Sequence, residues 1–329
     1  NDNYSLEGAE FEVYATEGDA TGEGTETTPE VVTPQVYGDN VIDYDFDTLI
    51  ANAPSKEVKN LHTYVQSVTP SKQNDYTGLF KDKNLIFFCA EAFSAEVVDK
   101  DLTPTLYRLV NNGFTFTDYY QPAWGGSTST GEYSLLSGLV PTSGVKSMKA
   151  TIGKDLSFTI GNKLMDEGYF TAAYHNGQYD YYSRNQTHTN FGYKTFTGMG
   201  NGMENGVTKR WPESDLEMMQ YTLPQYATGN QKFCTYYMTV SGHCLYYRSG
   251  NRMTAKNWAA VENLEGSEAV KGYLAANLEL EYALQYTIQY LEEHNLANDT
   301  VIVLGADHYP YGLENSAYEE LAGKDLSTP

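Results

Sequence analysis

The chain has 329 residues, enough for one large α/β domain or two smaller ones with a sizeable core. Its formal net charge of −22 argues against wrapping nucleic acid, which needs a basic face, but leaves room for a phosphate-bearing substrate held at one local site. Cys89, Cys234 and Cys244 make neither a disulfide framework nor a paired metal-binding spacing, and no apolar run approaches the length of a bilayer span.

Residues 1–39 are rich in Glu, Thr, Gly and Pro and read as an acidic, flexible arm. The chain opens at Asn1 in polar sequence with no signal peptide, as expected for the soluble portion of a longer precursor. Residues 40–75 read as a helical linker, with a helix over 56–68 that Pro70 stops. From 76 onward the pattern is that of a catalytic domain. NLIFFCA at 84–90 is a short continuous apolar run, the mark of a strand covered on both faces, and it ends at Glu91. Thr103-Pro104 opens a helix that Gly113 closes. Residues 114–120 alternate like a strand and feed a glycine-loosened turn before a helix over 130–136. A helix over 155–167 precedes a strand over 169–174, and FCTYYMTV at 233–240 is a further strand ending in Ser241-Gly242-His243. Leu280, Leu284, Ile288 and Leu291 recur at helical spacing within 273–293. TVIVL at 300–304 is again an apolar run, expected to be a buried strand, and runs into Gly305-Ala306-Asp307-His308. Cys89 and Cys234 fall inside apolar runs and are expected to be buried free thiols; Cys244, beside His243, is expected to be structural too.

Strands alternating with helices predict an α/β fold with a mostly parallel sheet flanked by helices. Sites in such folds lie beyond the carboxyl ends of the strands. Glu91, His175, His243 and the Asp307-His308 pair all stand at such ends.

The stretch WGGSTSTGEY at 124–133 brings Ser127, Thr128, Ser129 and Thr130 to a helix start, where free N–H groups and a partial positive charge suit an anion. Alone it reads equally as an ordinary capped helix with four equivalent hydroxyls. Asp307 and His308 could begin a surface loop or hold a divalent cation with Glu91 and the Thr128 hydroxyl. Two carboxylates, an imidazole and a hydroxyl favour a fairly hard ion, Mn²⁺ or Mg²⁺, with Zn²⁺ as a further option.

The same stretches carry a family resemblance. YTGLFKDKNLIFFCAEAF (76–93), LTPTLYRLVNNGFTFTDYY (102–120), WGGSTSTGEY (124–133), YYSRN (181–185), VSGH (240–243) and TVIVLGADHY (300–309) together resemble the extracellular catalytic domain of lipoteichoic acid synthases. These are glycerophosphate transferases of the alkaline phosphatase and sulfatase superfamily. The resemblance implies an alkaline-phosphatase/sulfatase-like domain over 76–329. Because the family's domain continues with further strands and a helix, that domain is expected to be C-terminally incomplete. It implies Glu91, Thr128, Asp307 and His308 as ligands of one metal, most readily Mn²⁺, with Thr128 also the nucleophile. Arg184 and His243 match substrate-phosphate residues with catalytic roles, and Arg184 has a planar fork suited to two phosphate oxygens. His175, Asn176 and Trp211 are expected only to line the site, and His62, His188 and His294 have no place in it.

Two positions depart from the family pattern. Tyr182 stands where the family often has Trp against the glycerol group, and Ser127 replaces a Lys often found just before the nucleophile. The implied reaction moves glycerol phosphate from phosphatidylglycerol to a polyglycerol-phosphate chain through a covalent Thr128 intermediate. It would take place at the outer membrane face of a Gram-positive bacterium, in a monomer tethered by helices outside this chain. The alternatives are a phosphodiesterase, phosphatase or phosphoethanolamine transferase of the same superfamily, or a catalytically inactive domain that binds polyanionic polymer. A sulfatase is disfavoured, because Thr128 is not set in a Cys-x-Pro-x-Arg motif.

Overall fold

The computed structural model describes residues 36–41, 43–121, 127–142 and 146–325, so the expected arm over 1–39 lies almost wholly outside the described residues. The chain divides into two compact units, 1–79 and 80–329. In the first, α1 (Phe46–Ala51) and α2 (Lys56–Ser67) are each capped by a side chain. Asp45 accepts from the Thr48 amide and Ser55 from the Val58 amide, satisfying donors that a helix start leaves open. Neither helix has a buried residue.

The second unit runs β1 (Asn84–Ala90), α3 (Pro104–Asn112), α4 (Ser127–Ser137), α5 (Ser147–Ala150), α6 (Ile160–Asp166) and β2 (Phe170–Gln178). It continues through α7 (Arg184–Asn190), β3 (Thr195–Met199), α8 (Asp215–Tyr226), β4 (Phe233–Met238), α9 (Arg252–Asn257), α10 (Glu268–Glu293), β5 (Thr300–Ala306) and α11 (Asn315–Ala322). The five strands form one sheet in the order β3-β2-β4-β1-β5, with every pairing parallel. This is the expected α/β architecture.

β1 lies between β4 and β5 and carries apolar side chains to both faces, which is why its sequence is a continuous run rather than an alternation. Its pleat divides the core. Ile86 and Phe88 pack with Tyr237, Met218, Leu280 and Leu284 on one side, where α8 and α10 lie. Phe87 and Cys89 pack with Met148, Phe191 and Tyr236 on the other. Cys89 and Cys234 are buried free thiols, as expected.

Several predicted elements need correction. Residues 114–120 form no strand, and the alternation there places aromatics in solvent: Phe116 is 81% and Tyr120 84% exposed. α4 begins by Ser127 rather than at residue 130, and the glycine turn at 124–126 lies outside the described residues. The helix expected over 155–167 shortens to α6, while α10 starts earlier than expected, at Glu268, where Ser267 caps it. β5 was expected to be buried. It pairs only with β1 among the described residues, and Val303 is 38% exposed.

Two fully buried acids tie α10 to its neighbours. Glu281 accepts from the Thr105 amide at 2.8 Å and the Leu106 amide at 2.9 Å, so it caps the start of α3 from another helix. Glu279 accepts from Lys256 at 2.8 Å and from Asn257 at 3.2 Å. Leaving two buried amides without an acceptor costs about 1–3 kcal/mol for each group that water does not reach. Glu281→Ala is therefore expected to lower unfolding stability by at least about 1 kcal/mol, read as a lower urea midpoint at unchanged slope. An unchanged midpoint would remove Glu281 from the account of how α3 is held.

Candidate active site

β1 and β5 run side by side in register, Ala90 opposite Ala306, so the residues that follow them, Glu91 and Asp307, leave the sheet together. Asp307 Oδ1 accepts from the Ala92 and His308 amides, both at 2.8 Å. That fixes the carboxylate and turns Oδ2 inward, where it is buried and faces His308. His308 Nδ1 donates to the Tyr309 carbonyl at 2.8 Å, which leaves Nε2 facing the acids. Nε2 lies 3.0 Å from Asp307 Oδ2 and 3.3 Å from Glu91 Oε1. Thr128 Oγ completes the group, 3.5 Å from both Glu91 Oε2 and His308 Nε2. Of the four hydroxyls that the sequence left equivalent, Thr128 is the one placed against this cluster.

Backbone contacts set these positions. A Cβ on Gly131 would overlap the Asp307 carbonyl oxygen, and one on Gly242 would overlap the Glu91 carbonyl oxygen. Glycine at 131 therefore lets α4 lie directly on the turn after β5. Asp215 Oδ1 accepts from the Val240 and Ser241 amides at 3.0 and 3.3 Å and from Asn176 Nδ2 at 2.7 Å. It fixes the turn after β4 that presents His243. Burial pushes the Asp215 carboxyl up, to about 6.

Charge in the cluster is unbalanced. Burial and the neighbouring Glu91 carboxylate push Asp307 up. Burial alone would lower His308, but its bonds to Asp307 and Glu91, and their charges, outweigh that and raise it to about 11.

Arg184 meets α4 one turn further along, at Glu132. Its Nε and Nη2 meet Glu132, with Nε at 2.9 Å and Nη2 at 2.9 Å from Oε2, while its Nη1 is buried and without a partner among the described residues. Glu132 Oε1 also accepts from Tyr236 Oη at 3.2 Å and lies 3.1 Å from His188 Nε2. Burial would raise the Glu132 carboxyl, but the Arg184 charge and the His188 bond hold it well below the usual carboxylate range. Tyr182 and Ser183, just before Arg184, have φ of 57° and 63°, so the chain turns sharply into α7. The Tyr182 ring stands 5.3 Å from the Arg184 guanidinium and 5.5 Å from Lys146 Nζ. Beside them opens a cavity of about 330 Å³ that Ser129, Lys146 and Lys149 help to line.

His243 is half-buried. Its Nδ1 lies 2.7 Å from the Cys244 carbonyl and its ring packs edge-on to Trp211 at 4.9 Å. Burial would lower it, but the Cys244 contact and the Glu91 charge raise it to about 9. Ser127 Oγ meets Tyr311 Oη at 3.0 Å, and the Tyr311 ring lies 4.5 Å from that of His308. His175 and Asn176, expected to line the site, are buried at the end of β2. His175 Nδ1 donates to Met238 O at 2.9 Å, and burial lowers its pKa to about 3, leaving a neutral clamp between β2 and β4. His294 caps α10, with Nδ1 2.8 Å from Tyr290 O, as its place near a helix end implied.

Sequence reasoning missed Glu132, His188, Tyr236 and Asp215. One signal was available: Glu132 stands four residues after Thr128, on the same face of a helix. Nothing comparable marked His188, which was set aside and is fully buried against Glu132.

A parallel sheet with acids and histidine gathered beyond its carboxyl ends is the arrangement by which α/β folds carry their sites. The chain belongs to the sulfatase family, whose model matches residues 83–328. It is similar to the lipoteichoic acid synthase-like protein YvgJ of Bacillus subtilis, 23% identical over 287 residues, 85% of this chain and 45% of that one. It is also similar to the lipoteichoic acid synthase of Staphylococcus saprophyticus, 25% identical over 305 residues, 86% of this chain and 46% of that one. The crystal structure of the lipoteichoic acid synthase LtaP from Listeria monocytogenes shares the fold, with a TM-score of 0.66 at 22% identity over 82% of this chain and 66% of that one. The chain thus spans about half the length of the curated relatives it matches.

The packing of α4 on Asp307 yields a prediction. Gly131→Ala forces the helix or the strand end to move, and overpacking of this kind costs about 1–3 kcal/mol. A lower melting temperature is the expected result; a variant as stable as the parent would show that the contact has slack.

Proposed function

We propose that this chain is the catalytic part of a phosphoglycerol transferase that passes glycerol phosphate through Thr128. The observation that carries the reading is the Thr128 hydroxyl set against the buried Glu91, Asp307 and His308 cluster. The names of the relatives point the same way. We propose phosphatidylglycerol as donor and a polyglycerol-phosphate chain as acceptor, at the extracellular face of a Gram-positive membrane, by a monomer tethered through segments outside this chain. No described helix is long and apolar enough to cross a membrane.

The cluster fits a divalent cation. Glu91, Asp307 and His308 each offer one atom within 4.8 Å of the others, and the buried Asp307 Oδ2 lies 3.0 Å from His308 Nε2. Oxygen-rich donors with one imidazole suit Mn²⁺, the ion we propose, over Mg²⁺ or Zn²⁺. Bound there, the ion lowers the proton affinity of the Thr128 hydroxyl and offsets phosphate charge.

In the proposed reaction Thr128 Oγ, having lost its proton to solvent, bonds to phosphorus as the bond from phosphorus to the diacylglycerol oxygen breaks. His243 gives that oxygen a proton. Arg184 Nη1 and the first amides of α4 donate to the non-bridging oxygens. A terminal hydroxyl of the acceptor then attacks the same phosphorus and passes its proton to His243, and Thr128 Oγ leaves and is reprotonated. Trp211 and Tyr182 offer aromatic faces to the glycerol and acceptor groups.

Headgroup-labelled phosphatidylglycerol supplied without acceptor tests this reading. Mass spectrometry is expected to find labelled glycerophosphate on the Thr128 peptide, and none in Thr128→Ala. Labelled glycerol phosphate released with no adduct and no polymer would replace the transferase with a phosphodiesterase. A chain with no turnover and no adduct would favour the inactive polymer-binding reading.

The raised His308 pKa gives a second test. His308 is protonated at neutral pH and must lose that proton to bind metal, so apparent Mn²⁺ affinity should rise with pH. Calorimetry at pH 7 in buffers of different ionisation enthalpy is expected to show about one proton released per ion bound. Binding with no proton release would remove His308 from the ligand set.

A further inference from the structure

Glu132 is the fully buried acid at the base of the site, and its acceptor positions are filled. Oε1 meets Arg184 Nε at 3.2 Å, His188 Nε2 at 3.1 Å and Tyr236 Oη at 3.2 Å. Oε2 meets Arg184 Nε and Nη2, each at 2.9 Å. One edge of the guanidinium, Nε and Nη2, is thus used on the carboxylate, chiefly on Oε2. The Nη1 end is buried and has no partner among the described residues. A buried N–H group without an acceptor is costly, and the open end therefore marks where a ligand oxygen belongs.

We propose that Glu132 is a positioning residue that, with His188 and Tyr236, clamps Arg184 so that a substrate phosphate meets only its Nη1 end. The inference rests on the reading above, in which Arg184 meets the phosphate. It also narrows the expectation that the arginine fork grips phosphate, since the Nε edge is taken by Glu132 and only the Nη1 end is left for it.

The clamp has two physical consequences. The Arg184–Glu132 pair is neutral overall, so the arginine supplies direction more than net positive charge. Ground-state phosphate is then held weakly, which leaves binding energy for the transition state. Thr128 and Glu132 also stand one turn apart on the same face of α4. A single rigid helix therefore sets the nucleophile oxygen and, through Glu132, the arginine donor that faces the same phosphate. Freed from the clamp, Arg184 would bring an uncompensated charge and its Nε edge to the phosphate, bind it more tightly and aim it less well.

The test compares the chain with its Glu132→Gln, Arg184→Ala and doubly substituted forms, in saturating Mn²⁺, with glycerol 1-phosphate as the probe. Calorimetry reads its Kd, headgroup-labelled phosphatidylglycerol reads kcat, and melting temperature reports folding. Glu132→Gln is expected to tighten Kd by about threefold or more while kcat falls about tenfold, and to leave Kd unchanged in the Arg184→Ala background. A structural role alone would lower kcat with the folded fraction and leave Kd where it was. A Kd that is unchanged or weaker in Glu132→Gln, or one that shifts equally with and without Arg184, overturns the clamp. If Glu132→Gln does not fold, Tyr236→Phe decides, because it removes one bond to Oε1 and keeps the ring. A smaller tightening that needs Arg184 supports the clamp, and an unchanged Kd overturns it. Arg184→Ala is read separately: if it binds glycerol 1-phosphate as tightly as the parent, the phosphate role of Arg184 fails, whatever Glu132 does.

Discussion

The site depends on α4 lying directly against the turn after β5, a contact that exists because Gly131 has no side chain. With that helix in place, Thr128 Oγ reaches Glu91 and His308, and Glu132, one turn on, reaches Arg184. The sheet supplies the other half of the geometry. Because β1 and β5 pair in register, Glu91 and Asp307 leave it at the same level, and the two backbone amides on Asp307 Oδ1 fix which oxygen faces inward. Each position is set by backbone contacts rather than by long flexible side chains, which suits a centre that must hold reacting atoms to within a fraction of an ångström.

Much of the plan was legible because strand ends announce themselves. The runs at 84–90, 233–240 and 300–304 are apolar for a reason the sheet explains, and the polar residues that end them stand out by contrast. The helix at 273–293 was legible from its leucine spacing, although Ser267 and not a change of pattern sets its start. Where the reading failed, another constraint decided. The alternation at 114–120 has the period of a strand but no neighbour to pair with, and its aromatics stay in solvent. α8 contains Pro224, a residue that argues against a helix, yet it forms one because Met218, Met219 and Leu223 are buried in the core.

The site residues divide in the same way. Glu91, Asp307 and His308 were found because sequence places them at strand ends, and tertiary packing brings together what the strand register already aligned. Glu132, His188 and Asp215 were missed because each is defined by what it touches. A buried carboxylate reads the same in sequence as an exposed one until its arginine or its amides are known. The Glu132 contact was missed for the same reason: nothing about Arg184 in isolation says that Glu132 has already taken one of its edges.

Charge explains why these hidden groups matter. The chain carries −22 overall, and Glu91 and Asp307 bring two carboxylates beside one imidazole at the point where the proposed phosphate binds. Arg184 offers little relief, because Glu132 neutralises it at 2.9 Å. A phosphate approaching Thr128 would meet both carboxylates at a buried site where repulsion is poorly screened, and in the metal-free protein the raised His308 and His243 are the cations that oppose it. On the proposed reading the cation takes the place of the His308 proton, offsets the phosphate charge and activates the hydroxyl, while the clamped arginine contributes aim. Positive charge then sits next to the nucleophile, and direction comes from the arginine that Glu132 holds one turn further along the same face of the helix.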